Sequence, residues 1–183
     1  LAFFNEEIAR SEHYLEYGSV GSTIVALQKV RTLISVESVP VFAQAVLKSV
    51  GHSAANFHLL NPYIGFTREW GFPVVANPTP ERVALWSSYP KAPWGVFKAL
   101  GTMPDTILID GRFRIACMLE SLLKVDSSTT ILFDDYAGRD YRLVEQFADL
   151  IALHGRMAEF RKSNSMDVLA CRQALQRAYS LLD

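Results

Sequence analysis

Five carboxylates stand at or near the ends of apolar, β-branched runs: Tyr-Leu-Glu16, Ile-Ser-Val-Glu37, Ile-Leu-Ile-Asp110 and Ile-Leu-Phe-Asp134-Asp135. Carboxylates in such places can hydrogen-bond the hydroxyls of a sugar, take a proton from a reacting group, or coordinate a hard cation such as Mg²⁺. The first of them opens the stretch Glu16-Tyr-Gly18-Ser19-Val-Gly21-Ser22. Gly18 and Gly21 allow a tight turn and a close backbone approach to a ligand, and a helix beginning near Ser22 aims unpaired N–H groups at the same place. Glu37 follows Gly18 by about 20 residues, the spacing at which an acid ending the second strand reaches ribose hydroxyls in a doubly wound sheet. The residues therefore predict a nucleoside-bearing cofactor lying over strands one and two.

These groups need a scaffold, and hydrophobic spacing supplies one. A lead-in helix over about 3–11 precedes strands at 13–17, 32–38, 56–60, 105–110 and 129–134. Helices are predicted over about 22–30, from Pro40 to Gly51, and over 113–124. A helix over about 140–153, a late strand at 156–161 and a closing helix over 166–182 complete the order. Alternation of strand and helix implies a mainly parallel sheet with right-handed crossovers. In such a sheet a ligand sits beyond the carboxyl ends of the strands where the winding reverses, here between strands one and four, which places Gly18 beside Asp110. One segment breaks the rhythm. Six of the eight prolines and all three tryptophans fall between 62 and 94. So long a connection is uncommon in a compact domain and is often a binding element. An ordered cover over the site is expected, with Trp70, Tyr89, Trp94 and Arg112 as candidate walls of a substrate pocket.

The 183 residues suffice for one well-buried core and suggest a single domain over 1–183 with an insertion at about 62–94. A formal net charge of −1 gives no general attraction for a nucleic-acid backbone. The longest uncharged run, 49–67, is too polar to span a bilayer. Cys117 and Cys171 lie in apolar helical patterns and read as buried free thiols, which suggests a reducing cytoplasm. The histidines show no paired metal-ligand spacing. The oligomeric state is not readable.

Glu16-x-Gly18-x-x-Gly21-Ser22, Glu37 ending strand two, Ile-Asp110-Gly ending strand four and Leu-Phe-Asp134-Asp135 ending strand five resemble class I S-adenosylmethionine-dependent methyltransferases, over about residues 10–160. The chain looks closest to small bacterial methyltransferase-like proteins whose substrates are not established. The resemblance implies a Rossmann-like α/β sheet of order 3-2-1-4-5 with one or two late strands and helices on both faces. It also implies S-adenosylmethionine as cofactor and a small-molecule acceptor with an oxygen or nitrogen nucleophile. Glu16, Gly18, Ser19, Gly21 and Ser22 would then line the methionyl side and Glu37 the ribose, with Asp110 also among the cofactor-binding residues and Tyr63 a candidate for stacking on the adenine. The family often has a further glycine where Val20 stands. Asp110 or Asp135 would accept the acceptor's proton. Asp110, Asp134 and Asp135 could instead bind Mg²⁺, as similar residues do in catechol-type relatives, but the reading taken is metal-free. Two rivals stay open: an NAD-dependent oxidoreductase, which would want Gly-x-Gly-x-x-Gly, and a non-catalytic binding protein on the same fold.

Overall fold

The computed structural model describes residues 2–19, 21–50 and 56–183. Gly51, expected to end the third helix, and Val20 lie outside the described residues. Seven strands form one sheet in the order β3-β2-β1-β4-β5-β7-β6. β1 (His13–Tyr17), β2 (Thr32–Val36), β3 (Phe57–Leu60), β4 (Thr106–Ile109) and β5 (Thr130–Phe133) run parallel. β7 (Met157–Lys162) is antiparallel to β5, and β6 (Ala148–His154) forms a hairpin with it.

The strand registers decide what the sheet can do. Tyr17 pairs with both Val36 and Ile109, Val36 with Leu60, and Ile109 with Phe133. The parallel strands thus finish level. Backbone bonds continue one step past them, from Gly18 N–H to the Val36 carbonyl at 2.8 Å and from Asp110 N–H to the Tyr17 carbonyl at 2.9 Å. The residues that follow each strand are consequently set side by side along one edge.

Both faces of the sheet are covered, as its run of buried apolar strand residues requires. On one face α1 (Ala2–Arg10) and α2 (Gly21–Leu27) bring Phe4, Ile8 and Ala26 against Tyr14, Leu33 and Leu108. On the other face lie α4 (Pro80–Leu100), α5 (Arg114–Leu122) and α6 (Val168–Ala178), packed on Leu15, Tyr17, Ile107 and Ile109. The remaining helix, α3 (Pro40–Val50), follows β2 and buries Ala43 and Val46. Cys117 and Cys171 are buried and unbridged. Among the described residues no helix is long and apolar enough to cross a membrane.

Two expectations fail here. The helix expected over 140–153 is a short 3₁₀ turn, Arg142–Gln146, followed by β6. Val144, Phe147, Ala148 and Ile151 fall at helical spacing, but Gly155, at φ +68°, closes a tight hairpin that pulls 148–154 into the sheet. Edge position then leaves Leu150, Ile151 and Leu153 exposed. The segment 62–94, expected to be a cover throughout, divides at Thr79. Its second part belongs to α4, a 21-residue crossover helix capped by Thr79, started by Pro80 and ended by left-handed Gly101. Pro90 and Pro93 lie inside it, where each removes a backbone bond. The Pro90 carbonyl accepts from the hydroxyl of Tyr17 at 2.8 Å and from Trp94 Nε1 at 3.1 Å, which ties the interrupted helix to β1.

Candidate active site

The floor of the site is a meeting of two backbones. Gly18 leaves β1 with φ +95°, and a Cβ placed on it would come within 2.7 Å of the Gly111 nitrogen. A Cβ on Gly111 would lie 2.9 Å from the Gly18 nitrogen and would collide with the Tyr89 hydroxyl. Only glycine fits at either place. Above this contact opens a cavity of about 620 Å³, bordered by Gly18, Ser19, Glu37, Asp110 and Asp135 along the strand ends. The size is that of a small-molecule site.

Glu37 is the best-held carboxylate on the cavity. Its Oε1 accepts from Val39 N–H at 2.7 Å and its Oε2 from Ser19 N–H at 3.3 Å. The Asn61 side-chain amide donates to its backbone carbonyl. Burial pushes its carboxyl above the ordinary value, while those backbone donors pull it back. Those donors fix the direction of a carboxylate that borders the cavity.

Glu16, Gly21 and Ser22 do not reach the cavity. Alternation along β1 turns Glu16 to the same face as Tyr14, under α2, where it is fully buried. Four hydroxyls surround it: Ser35 at 2.7 Å, Ser22 at 2.8 Å, Tyr14 at 3.2 Å, and Thr23. Burial without a cation raises its carboxyl to about 7, although the hydroxyls oppose the shift. Ser22 is committed to that network. Nothing stands within 4 Å of a Cβ on Gly21, so no close approach requires glycine there.

The aspartates are placed by arginines. Arg114 donates through Nη2 to the Asp110 carboxylate and carbonyl, both at 3.0 Å, through Nε to the Gly111 carbonyl at 3.0 Å and through Nη1 to the Asp134 carbonyl at 2.5 Å. It stitches the ends of β4 and β5 together, a role the sequence reading missed. The Asp110/Arg114 spacing across a strand-to-helix turn was the available signal. Burial raises the Asp110 carboxyl to about 6, with Arg114 opposing and Asp134 and Asp135 adding to the rise. Asp135 takes left-handed backbone, φ 53°, and pairs with Arg139 at 3.0 Å and Arg156 at 2.6 Å. The Asp134 side chain does not border the cavity. Among the described residues no group of three or more His, Cys, Asp or Glu side chains is placed to hold a metal ion.

The cover comes from the loop after β3. Trp70, 79% exposed and with φ 59°, stands at the cavity mouth beside Gly71 and Phe72. Tyr89 reaches the site from α4 and donates to the Val36 carbonyl at 3.1 Å. The guanidinium of Arg112 lies over the Phe72 ring, 4.2 Å from its centre. Trp94 is not a wall: it packs into the core from α4. Tyr63 lines a separate, smaller cavity with Phe66 and Val74. Phe72 and Ser38 border the site and were not anticipated.

No protein-family model matches the chain, and no curated protein matches it. Solved structures do. The crystal structure of a methyltransferase-like protein from Silicibacter pomeroyi DSS-3 superposes with a TM-score of 0.80 at 30% identity, over 98% of this chain and 92% of that one. The N-methyltransferase NodS from Bradyrhizobium japonicum WM9 gives a TM-score of 0.51 at 10% identity, over 89% of this chain and 96% of its own. A Streptococcus pneumoniae protein named as a candidate tRNA (m1A22) methyltransferase gives 0.51 at 15% identity, over 93% and 73%. The last two are similar in fold.

Proposed function

This chain belongs to the family of methyltransferase-like proteins with the class I fold, and from that membership we propose that it transfers a methyl group from S-adenosylmethionine to a small acceptor through oxygen or nitrogen. The observation that carries the reading is the Gly18–Gly111 contact with the fixed Glu37 carboxylate beside it, in one cavity at the reversal point of the sheet. The residues fit the cofactor. Glu37 would take the two ribose hydroxyls, and Gly18, Ser19 and Asp110 would border the methionyl end. Bound there, the cofactor supplies a methyl carbon made electrophilic by a sulfonium.

The chain's own part is alignment, water exclusion and proton acceptance. Transfer to an acceptor lone pair would release the cofactor as its neutral thioether. An O–H or N–H acceptor then has a proton to lose. Asp110, with a carboxyl near 6, is ionised at neutral pH yet basic enough to take it. Asp135 is held by two arginines and steadies the cavity wall. The cavity size and the net charge of −1 favour a small acceptor over a polynucleotide.

Calorimetry with S-adenosylhomocysteine and with NAD, on wild type and Glu37→Ala, tests the reading. S-adenosylhomocysteine is expected to bind and NAD not. Loss of the charge-assisted bonds to ribose should weaken binding tenfold to a hundredfold, given roughly 1.5–3 kcal/mol for bonds to a charged group. Unchanged affinity in the folded variant removes Glu37 from the ribose, and preferential NAD binding overturns the cofactor.

A further inference from the structure

Three arginines border the cavity, and two are committed. Arg114 is bonded to Asp110 and to three carbonyls. Arg139 is paired with Asp135 and also reaches the Tyr141 hydroxyl at 3.4 Å. Arg112 forms no ion pair among the described residues, and its Nη1 is shielded from solvent without a hydrogen-bond partner. Glu37 and Asp183 are near enough to feel its charge, but neither bonds it. Burial and the neighbouring Arg114 cation both press against that charge.

The setting of Arg112 is specific. Its Cζ lies over the Phe72 ring, and its stem runs beside Gly71, where a Cβ would come 3.4 Å from Arg112 Cγ and 3.3 Å from Val39 Cγ2. The guanidinium is therefore held under the cover, with an unpaired donor at Nη1 and the planar N–H pattern that suits a carboxylate or phosphate. The methionyl end of the cofactor belongs to the floor, at Gly18, Ser19 and Asp110. A neutral occupant of the remaining space would displace water and leave a half-buried guanidinium with no hydrogen-bonded counter-charge, an expensive arrangement.

We propose that Arg112 anchors an anion-binding subsite under the cover, so that the methyl acceptor is a small molecule bearing a carboxylate or a phosphate. The acceptor assignment rests on the methyl-transfer reading above; the anion subsite itself does not.

The test is calorimetry on wild type, Arg112→Gln and Arg112→Lys, each checked for folding by thermal melting. The probes are S-adenosylhomocysteine, 5′-methylthioadenosine (which lacks the amino-acid carboxylate), inorganic phosphate and benzoate. Both anions are titrated into free and S-adenosylhomocysteine-saturated protein. The expected result is S-adenosylhomocysteine affinity within twofold in all three proteins, with phosphate or benzoate binding the saturated wild type at least tenfold more tightly than the Gln variant. Arg112→Lys should recover part of that binding, because it restores charge without the fork. Whichever anion responds identifies the acceptor's group. If Arg112→Gln weakens S-adenosylhomocysteine tenfold while 5′-methylthioadenosine is unaffected, Arg112 holds the cofactor's own carboxylate and the proposal is overturned. Equal anion binding by wild type and Arg112→Gln overturns it as well. If S-adenosylhomocysteine fails to bind wild type while anion binding to free protein still depends on Arg112, the methyl-transfer reading fails and the anion subsite stands.

Discussion

At the scale of single residues, the site separates carboxylates by their surroundings. Glu37 is held by backbone N–H groups, Asp135 by two arginines, Glu16 by hydroxyls alone, and Asp110 by one arginine in a buried, acid-rich corner. Asp110 combines access to the cavity with a carboxyl raised by burial to about 6. For a general base the deprotonated form is active, so kcat/KM with any productive acceptor should rise about tenfold per pH unit below about 6 and level off above it. Asp110→Asn should lower the plateau by about 10²–10⁴-fold and abolish that acid limb. An Asn variant that keeps the limb at the same pH would move the base to another group. Gly18, Glu37 and Asp110 were legible in the sequence because glycine type, strand ends and spacing all pointed to one edge. Glu16 was not, since its motif position suggests the ligand while β1's alternation turns it under α2. The bracing role of Arg114 was not legible because its partners are mostly carbonyls, which no residue type reveals.

At the scale of elements, β1, β2, β4 and β5 were readable because they are buried on both faces and bounded by polar turns. β6 was not, because an edge strand keeps no period-two burial and its apolar residues happen to fall three and four apart. Pro90 and Pro93 hid α4 as well, since two prolines read as breakers while the tie from the Pro90 carbonyl to the Tyr17 hydroxyl on β1 is invisible in local sequence. The division of 62–94 into cover and helix gives the tryptophans different environments. Trp86 and Trp94 are 1% and 9% exposed in the core, whereas Trp70 is 79% exposed at the cavity mouth. Saturating S-adenosylhomocysteine should therefore change the emission of Trp70 alone, and Trp70→Phe should erase the response. A full response in Trp70→Phe would assign the signal to α4 and take the cover away from the ligand.

For the whole molecule, the buried acids set an unusual dependence of stability on pH. Glu16 is raised to about 7 and Asp110 to about 6, and Glu37 and Asp183 are raised as well, in each case chiefly by burial. A carboxyl whose pKa is higher in the folded state binds more protons there than in the unfolded chain. Stability must then fall as pH rises between the unfolded and folded values, the reverse of the usual salt-bridged carboxylate. The lowered groups, Glu81 and Asp126, are exposed and complete their titration below about pH 5. Above that point the raised acids govern the slope. Glu16 joins β1, α2 and β2 beneath the glycine turn, so its ionisation strains the framework of the site as well as the fold. Its shift from 4.5 to about 7 corresponds to roughly 3 kcal/mol lost by pH 8, an upper figure. The melting temperature should accordingly be highest near pH 5 and decline steadily toward pH 8. Glu16→Gln keeps the neutral, protonated shape at every pH and should flatten much of the decline, whatever constant cost the amide adds. A wild type whose melting temperature holds or climbs over that range, or a Gln variant with an unchanged slope, would show that Glu16 stays ionised inside the fold.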